Sequence, residues 1–162
     1  MDQKLIQKTV REWLDIKEWS DPHAITFTIK QSLSVMSSKK IIRVKLDKCE
    51  VANNIRHFIN VLSRSLYGNM GKRFGKKLKV IPIIEGGAVK RIHAHLMIDR
   101  PADRVSRAEF EKKIKTAWID TMWGLKVMHI ETGADAGYIN YITKFADKNS
   151  VMDSIDLANL HI

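Results

Sequence analysis

The sequence predicts a single α+β domain in which helices pack on a mainly antiparallel sheet of about five strands. Apolar residues recur at helical spacing in four segments, and β-branched residues are concentrated in five short runs between them. No repeat, low-complexity tract or shift in composition divides the 162 residues, and this length suits one hydrophobic core. We therefore expect one domain over residues 1–162.

The first half of the chain is predicted to form a helix, two strands and a second helix. Residues 20–22 (Ser-Asp-Pro) end the first helix, and a serine-rich loop joins the two strands. Gly68 follows the end of the second helix. The predicted elements are a helix over residues 3–19, strands over residues 23–30 and 40–46, and a helix from Val51 to Leu66.

The second half is predicted to form a hairpin, a helix, a strand and a last helix. Residues 86–87 (Gly-Gly) mark the turn of the hairpin, and Pro82 places its first strand at an edge or a bulge of the sheet. Ser106 and Glu109 form a capping box, and Asp135 is a candidate N-cap for the last helix. The predicted elements are strands over residues 78–85 and 91–99, a helix over 106–124, a strand over 125–131 and a helix from 135 to about 147.

The charge of the chain indicates a polyanionic partner. Lys and Arg number 28 against 18 Asp and Glu, a formal net charge of +10, and nucleic acid is the polyanion that this balance favours. Cys49 is the single cysteine, which excludes an intrachain disulfide and a multi-cysteine zinc site. No run approaches the ~20 apolar residues that a membrane span needs. We therefore expect a cytoplasmic protein without a membrane partner.

Basic residues are concentrated in two segments that we predict to contact DNA phosphates. The predicted contact residues are Lys40, Arg43 and Lys45 in the second strand, and Lys72, Arg73, Lys76, Lys77 and Lys79 in the glycine-punctuated loop before the hairpin. This loop does not match the phosphate-binding motif GxxxxGK[ST], because Met70 stands in place of the first glycine and Lys77 in place of the Ser or Thr. We therefore expect no nucleotide partner.

Two histidines and a glutamate form a candidate metal site. His93 and His95 are two residues apart in an apolar run, so strand alternation directs both imidazoles to one face. In an unbulged antiparallel hairpin, opposed residues with an even index sum point to the same face, which adds Glu85 as the third ligand. His129 and Glu131 on the last strand are competing third ligands. Such a ligand set with open positions suits a catalytic Mg²⁺ or Mn²⁺ ion.

The last predicted helix places Tyr141 and Lys144 side by side. Tyr138 falls in the apolar arc of this helix and is predicted to be a core residue, whereas Tyr141 falls at the rim of the arc. A tyrosine hydroxyl can attack phosphorus to give a covalent phosphotyrosyl intermediate, and a nearby lysine can stabilise the leaving oxygen. In the alternative interpretation both tyrosines merely pack and Lys144 is a solvated charge.

Together these residues resemble the motifs of the HUH endonuclease superfamily, and specifically of the Rep initiators of rolling-circle replication in phages, plasmids and small single-stranded DNA viruses. The three motifs of those proteins occur in order and span residues 23–148, which we take as the catalytic core, with 149–162 as a C-terminal tail. The matching residues are Ile25-Thr26-Phe27-Thr28 for the hydrophobic strand with threonine, Glu85, His93 and His95 for the histidine motif, and Tyr141 and Lys144 for Tyr-x-x-Lys.

The resemblance implies a ferredoxin-like sheet, a divalent ion, and site- and strand-specific nicking and joining of single-stranded or hairpin origin DNA. The cut would leave a 5′-phosphotyrosine and a free 3′ hydroxyl that primes replication. Tyr138 is then a candidate second catalytic tyrosine, because some relatives use two. The resemblance also implies a separate helicase that unwinds the duplex.

Two other functions stay open at the level of sequence. The first is a single-tyrosine transposase or a relaxase of the same superfamily, although relaxases usually present a third histidine where this chain has Glu85. The second is a non-catalytic DNA-binding protein, such as an origin binder or a repressor, in which the histidines only pack.

Overall fold

A four-stranded antiparallel sheet organises the computed structural model of the chain, which describes residues 3–144 and 152–162. The strands are β1 (Pro22–Ile29), β2 (Ser32–Ser37), β3 (Lys40–Lys45), β4 (Val80–Glu85), β5 (His93–Asp99) and β6 (Gly124–Thr132). The helices are α1 (Gln3–Trp13), α2 (Lys48–Tyr67), α3 (Met70–Phe74), α4 (Arg107–Ile119) and α5 (Ala136–Ile142), with a short 3-10 helix at Leu157–Asn159. The main sheet has the order β4-β5-β1-β6, and β2 and β3 form a separate hairpin.

This arrangement confirms the predicted α+β class with a mainly antiparallel, roughly ferredoxin-like sheet. The main sheet has four strands rather than about five, because the strand predicted over residues 40–46 pairs with β2 outside it. β2 itself replaces the predicted serine-rich loop. Ser32 and Ser34 alternate with Leu33 and Val35, which is the pattern of a strand, but serine is also a common turn residue and hides that pattern.

The larger core lies between one face of the sheet and the helices α2 and α4. Phe27 of β1 stacks on Trp118 of α4, with ring centroids 3.9 Å apart, and meets Phe58 of α2 edge-on at 5.2 Å. All three side chains are fully buried. Burial of each aromatic ring stabilises the fold by about 2–3 kcal/mol, so this cluster fixes both helices on the sheet.

The opposite face of the sheet is covered by α1, α5 and the C-terminal segment. Ile83 and Met97 of the sheet belong to one buried cluster with Ile142 of α5. Because successive side chains of a strand alternate between faces, Glu85 and His95 lie on the same face as Ile83 and Met97. Helix α5 is therefore held over the face that carries the predicted metal ligands.

Helices α1 and α4 end earlier than predicted. After α1, the Asp15 carboxylate accepts a hydrogen bond from the Lys17 amide at 3.0 Å, a local turn that competes with continued helix. After α4, Gly124 turns back so closely that a Cβ there would lie 2.0 Å from the carbonyl oxygen of Trp118. Each helix thus gives way to a tight turn that is specified by local residues.

Helix α5 begins as predicted and ends sooner. The Asp135 carboxylate accepts hydrogen bonds from the amides of the first turn, including that of Tyr138 at 3.3 Å, which confirms the predicted N-cap. The helix ends at Ile142, and the Thr143 hydroxyl donates to a carbonyl oxygen of the last turn. Residues 145–147, to which the helix was predicted to extend, lie outside the described part of the chain.

Strand β4 lies at the edge of the main sheet, as Pro82 predicts. The C-terminal segment covers this edge: His161 exchanges two backbone hydrogen bonds with Val80, and the Ile84 amide donates to Ser154. Proline has no amide hydrogen, so Pro82 contributes only its carbonyl oxygen to this pairing. Pairing with the C-terminal segment leaves less of the edge open to another chain. Within the described residues, no helix combines the length and the apolar character that crossing a membrane requires.

Candidate metal and tyrosine site

The β4–β5 hairpin brings the three predicted metal ligands to one place. Glu85 lies directly opposite His93, and the register runs without a bulge from there to the other end of β4. The chain leaves β4 through Gly86 at φ 90°, where a Cβ would lie 2.2 Å from the Arg91 carbonyl oxygen, so only glycine fits. The parity argument from the sequence therefore describes the actual register of this hairpin.

Glu85, His93 and His95 offer ligand atoms that converge. Oε2 of Glu85 lies 3.3 Å from Nε2 of His93 and 3.6 Å from Nε2 of His95. Ligands that are each about 2.1 Å from a common ion are separated by roughly 3–4 Å, so these distances fit a bound metal. Among the described residues, these three form the cluster whose potential ligand atoms all lie within 4.8 Å of one another. Two imidazoles and one carboxylate leave coordination positions open, as a catalytic divalent ion needs.

Both histidines are oriented by a hydrogen bond at the other ring nitrogen. Nδ1 of His95 lies 3.0 Å from the Thr26 hydroxyl on the neighbouring strand β1, and Nδ1 of His93 lies 3.2 Å from the Arg91 carbonyl oxygen. His95 is 7% exposed, so its ring has little freedom. Such outer contacts fix the ring of a metal-binding histidine and leave Nε2 for the ion.

Tyr141 lies beside this cluster on α5. The centroid of its ring is 6.3 Å from that of His95, and the side chain is 55% exposed. The ammonium group of Lys144 lies 4.9 Å from the centre of the same ring. Tyr138 is 6.0 Å away, ring to ring. The predicted catalytic pair, Tyr141 and Lys144, is thus brought to the metal-ligand cluster.

Tyr138 occupies a different environment from Tyr141. Burial raises the pKa of Tyr138 to about 12, and the charges of Glu131 and Glu85 add to this rise, although a hydrogen bond to the Thr26 side chain lowers it. Tyr138 also packs against the smaller core. Its phenol therefore keeps its proton at neutral pH.

The competing ligands of the last strand do not join the cluster. Nε2 of His129 and Oε1 of Glu131 lie 2.8 Å from each other, and both side chains are largely exposed. They stand on β6, and β1 separates that strand from β5. Glu85 is therefore the third residue of the cluster.

The predicted DNA-contacting residues form two groups at opposite ends of β4. Lys40, Arg43 and Lys45 lie on β3, in the hairpin whose base contacts the start of β5 through Gln31 and Ile92. Lys72 and Arg73 lie on α3, and Lys76, Lys77 and Lys79 lie between α3 and β4. Five residue steps along β4, about 17 Å, separate this second group from Glu85. Only the first group lies at the same end of the sheet as the metal-ligand cluster.

Helix α1 holds the end of α5, which the sequence did not predict. The side-chain amide of Gln7 donates to the Thr143 carbonyl oxygen at 2.7 Å. The Arg11 guanidinium donates to the Thr143 hydroxyl at 2.9 Å and to the Asn140 carbonyl oxygen at 3.1 Å. These contacts join residues about 130 positions apart, so no local pattern announces them. They fix the turn of chain that carries Tyr141 and Lys144.

The fold and this site together define a class of protein. An antiparallel sheet whose hairpin presents a glutamate and two histidines beside a tyrosine-bearing helix is the arrangement expected of a Rep-type replication initiator. The chain belongs to the replication-associated protein ORF2 family, because a model of that family matches residues 22–150. Comparisons with curated proteins and with solved structures give no match. Membership assigns the protein to the initiation of replication, with DNA as its partner.

Proposed function

We propose that the protein is a metal-dependent DNA nickase and strand transferase of the HUH type, which cuts one strand of an origin through Tyr141 and thereby initiates rolling-circle replication. The position of Tyr141 carries this proposal. An exposed phenol stands 6.3 Å, ring to ring, from one of three converging potential metal ligands. A nucleophile and a metal site side by side are what phosphodiester transfer requires.

Glu85, His93 and His95 would hold a Mg²⁺ or Mn²⁺ ion through one carboxylate oxygen and two imidazole nitrogens. When bound, such an ion polarises the scissile phosphate as a Lewis acid. The hydrogen bonds from Thr26 and Arg91 at the other ring nitrogens support this assignment, because they keep Nε2 of both histidines directed toward the Glu85 carboxylate.

Tyr141 performs the covalent step in this proposal. Its phenolic oxygen attacks the scissile phosphorus, a phosphorus–oxygen bond forms to the tyrosine, and the bond from phosphorus to the 3′ oxygen breaks. The phenolic proton passes, in net terms, to the departing 3′ oxygen, so that the products are a 5′-phosphotyrosine and a 3′ hydroxyl. Because the new ester keeps the phosphodiester energy, attack by a 3′ hydroxyl can rejoin the strand without a nucleotide.

The environments of the two tyrosines support Tyr141 rather than Tyr138 as the nucleophile. Burial raises the pKa of Tyr138 to about 12, and a phenol that holds its proton this firmly is a poor nucleophile. Tyr141 is accessible to DNA. Lys144, with its ammonium 4.9 Å from the Tyr141 ring, is placed to balance negative charge that develops at the phosphoryl group.

A covalent-adduct assay tests the proposal. A pool of random single-stranded 30-mers with a 3′ fluorophore is incubated with the protein and Mn²⁺, and adducts are resolved on a denaturing gel. We expect a fluorescent protein–DNA adduct that EDTA prevents and whose DNA shares a common 5′ sequence. Tyr141→Phe should lower its formation by at least about 100-fold, and Tyr138→Phe by no more than about threefold.

Other outcomes would assign a different role to the protein. DNA binding without any adduct would identify a non-catalytic origin binder. An adduct that survives Tyr141→Phe and disappears with Tyr138→Phe would identify Tyr138 as the nucleophile and contradict the proposal.

A further inference from the structure

The β2–β3 hairpin forms a two-stranded ribbon outside the main sheet. Its six residue pairs run from Ser32–Lys45 at the base to Ser37–Lys40 at the tip, so the ribbon is about 17–20 Å long. The turn consists of Ser38 and Lys39, both with positive φ (45° and 71°). Two such residues match the type I′ turn, whose twist suits a tight hairpin. The ribbon has no slack at its tip.

Only the base of the ribbon is packed on the protein. Leu33 and Val44 form a cross-strand pair that lies against the larger core. Met36 and Ile41 form the pair nearest the tip on the other face, and they are 81% and 76% exposed. Two large apolar side chains in solvent, together with a face that turns away from the core, indicate a surface that serves a partner.

The charge of the ribbon restricts the chemistry of that partner. Residues 31–46 include two lysines and an arginine on β3 and a lysine in the turn, and they contain no acidic residue. Arg43 and Lys45 share the face of Met36 and Ile41, because opposed pairs alternate between faces. A second copy of the chain would bring the same positive charges to this surface, and like charges oppose such contact. A polyanion is the complementary partner.

The ribbon stands next to the metal-ligand cluster. The side-chain amide of Gln31, at its base, donates to the Ile92 carbonyl oxygen, and its oxygen accepts from the Ile92 amide, both at 2.9 Å. His93 is the next residue. DNA that is bound by the ribbon is therefore continuous with DNA at Tyr141.

We propose that the ribbon binds the major groove of a duplex stem that adjoins the single strand cut at Tyr141. The substrate is then a stem-loop rather than a plain single strand. The major groove of B-DNA, about 12 Å wide and 8.5 Å deep, admits a two-stranded ribbon. Arg43 suits the acceptors of guanine, and Met36 and Ile41 suit the methyl group of thymine. This inference rests on the proposed function, since it names the substrate of the same site.

Binding measurements in EDTA test the ribbon separately from the chemistry. The probes are a pool of stem-loops with a randomised 12-base-pair stem and a single-stranded tail, and a single-stranded pool with the same number of phosphates. We expect the protein to bind the stem-loops about 10-fold more tightly. Arg43→Ala/Lys45→Ala should remove that preference and lower the slope of log K against log[NaCl] by about 2. The control is Lys113→Ala/Lys115→Ala on α4, which removes the same charge and should change affinity less than twofold.

Methylation interference on the unmodified protein provides a second readout that does not depend on a variant folding. Guanine N7 lies in the major groove, so methylation at discrete stem positions should weaken binding. Absence of interference in the stem, or equal affinity for both pools, would overturn the proposal. So would a dimer in sedimentation that Ile41→Lys converts to a monomer, because the tip would then join two copies. Stem binding without any adduct would contradict only the proposed chemistry, and an adduct without stem preference would contradict only the ribbon.

Discussion

At the scale of the residue, Thr26 connects the two halves of the site. Its hydroxyl lies 3.0 Å from Nδ1 of His95 and is also hydrogen-bonded to Tyr138. A single small side chain therefore orients a predicted metal ligand and satisfies a buried phenol. The threonine in the first motif acquires a physical role, which is to position His95.

Replacing Thr26 with valine should weaken metal binding without emptying the core. Valine has nearly the same shape, but it leaves Nδ1 of His95 without its partner, and loss of such an outer contact typically costs 10–100-fold in metal affinity. Calorimetric titration with Mn²⁺ measures this change. Thr28→Val on the same strand is the matched control, because the Thr28 hydroxyl contacts the Val127 carbonyl oxygen instead. Equal loss in both variants would contradict the role of Thr26.

Asp21 makes the stability of the fold depend on pH. Hydrogen bonds from Arg107 and then Arg100 lower the pKa of this buried carboxyl to about 2. A carboxyl with a lowered pKa contributes stability that is fully present above its ordinary pKa of about 4 and is lost as the pH falls through about 2.

Asp21→Asn should therefore lower the melting temperature at pH 7 and have little effect near pH 2. Breaking a buried charge pair costs about 3 kcal/mol, which corresponds to roughly 5–10 °C in a chain of this size. Thermal unfolding followed by circular dichroism at several pH values measures the difference. Asp103→Asn is the control, because that side chain is mostly exposed. A gap that persists unchanged at pH 2 would contradict this account of Asp21.

At the scale of the element, α1 acts as a support for α5. A helix of seven residues is too short to be stable alone, so its orientation depends on what it packs against and on how its end is held. Gln7 and Arg11 provide three hydrogen bonds to the residues at its C-terminal end. The position of Tyr141 over the cluster is thus determined in part by the first helix of the chain.

Arg11→Ala should lower the rate of adduct formation by about 10-fold and leave DNA affinity nearly unchanged. The change removes two hydrogen bonds to the end of α5 and loosens the turn that carries Tyr141, and small displacements of a nucleophile are costly. Single-turnover kinetics and anisotropy on the same oligonucleotide separate the two effects. Lys8→Ala, on the exposed side of α1, is the control. Parallel loss of affinity and rate in Arg11→Ala would instead place Arg11 in the DNA-binding surface.

The elements that are specified by local patterns were predictable from the sequence. The hairpin of β4 and β5 follows from period-two alternation and a glycine turn, and so does the convergence of Glu85 with His93 and His95. The helix caps at Ser106 and Asp135 follow from their side-chain chemistry. What could not be predicted depends on contacts between distant segments. Thr26 meets His95 only through the β1–β5 register, and Arg11 meets Thr143 only through tertiary packing.

At the scale of the whole molecule, the two faces of the sheet have separate tasks. The larger core, with α2 and α4, stabilises the sheet. The other face carries the metal-ligand cluster, the tyrosine helix and the smaller core. Positive charge at both ends of β4 extends the surface that DNA can contact beyond the cluster itself. The helicase that would unwind the duplex stays a prediction from the resemblance.

The central claim is that Tyr141 forms the covalent bond to DNA beside the metal-ligand cluster. Tandem mass spectrometry of a nuclease-trimmed, protease-digested adduct, formed with Mn²⁺, locates the modified residue directly. The account predicts a nucleotide linked through phosphate to Tyr141, with Tyr138 unmodified. A nucleotide on Tyr138, or on a residue away from α5, would contradict it.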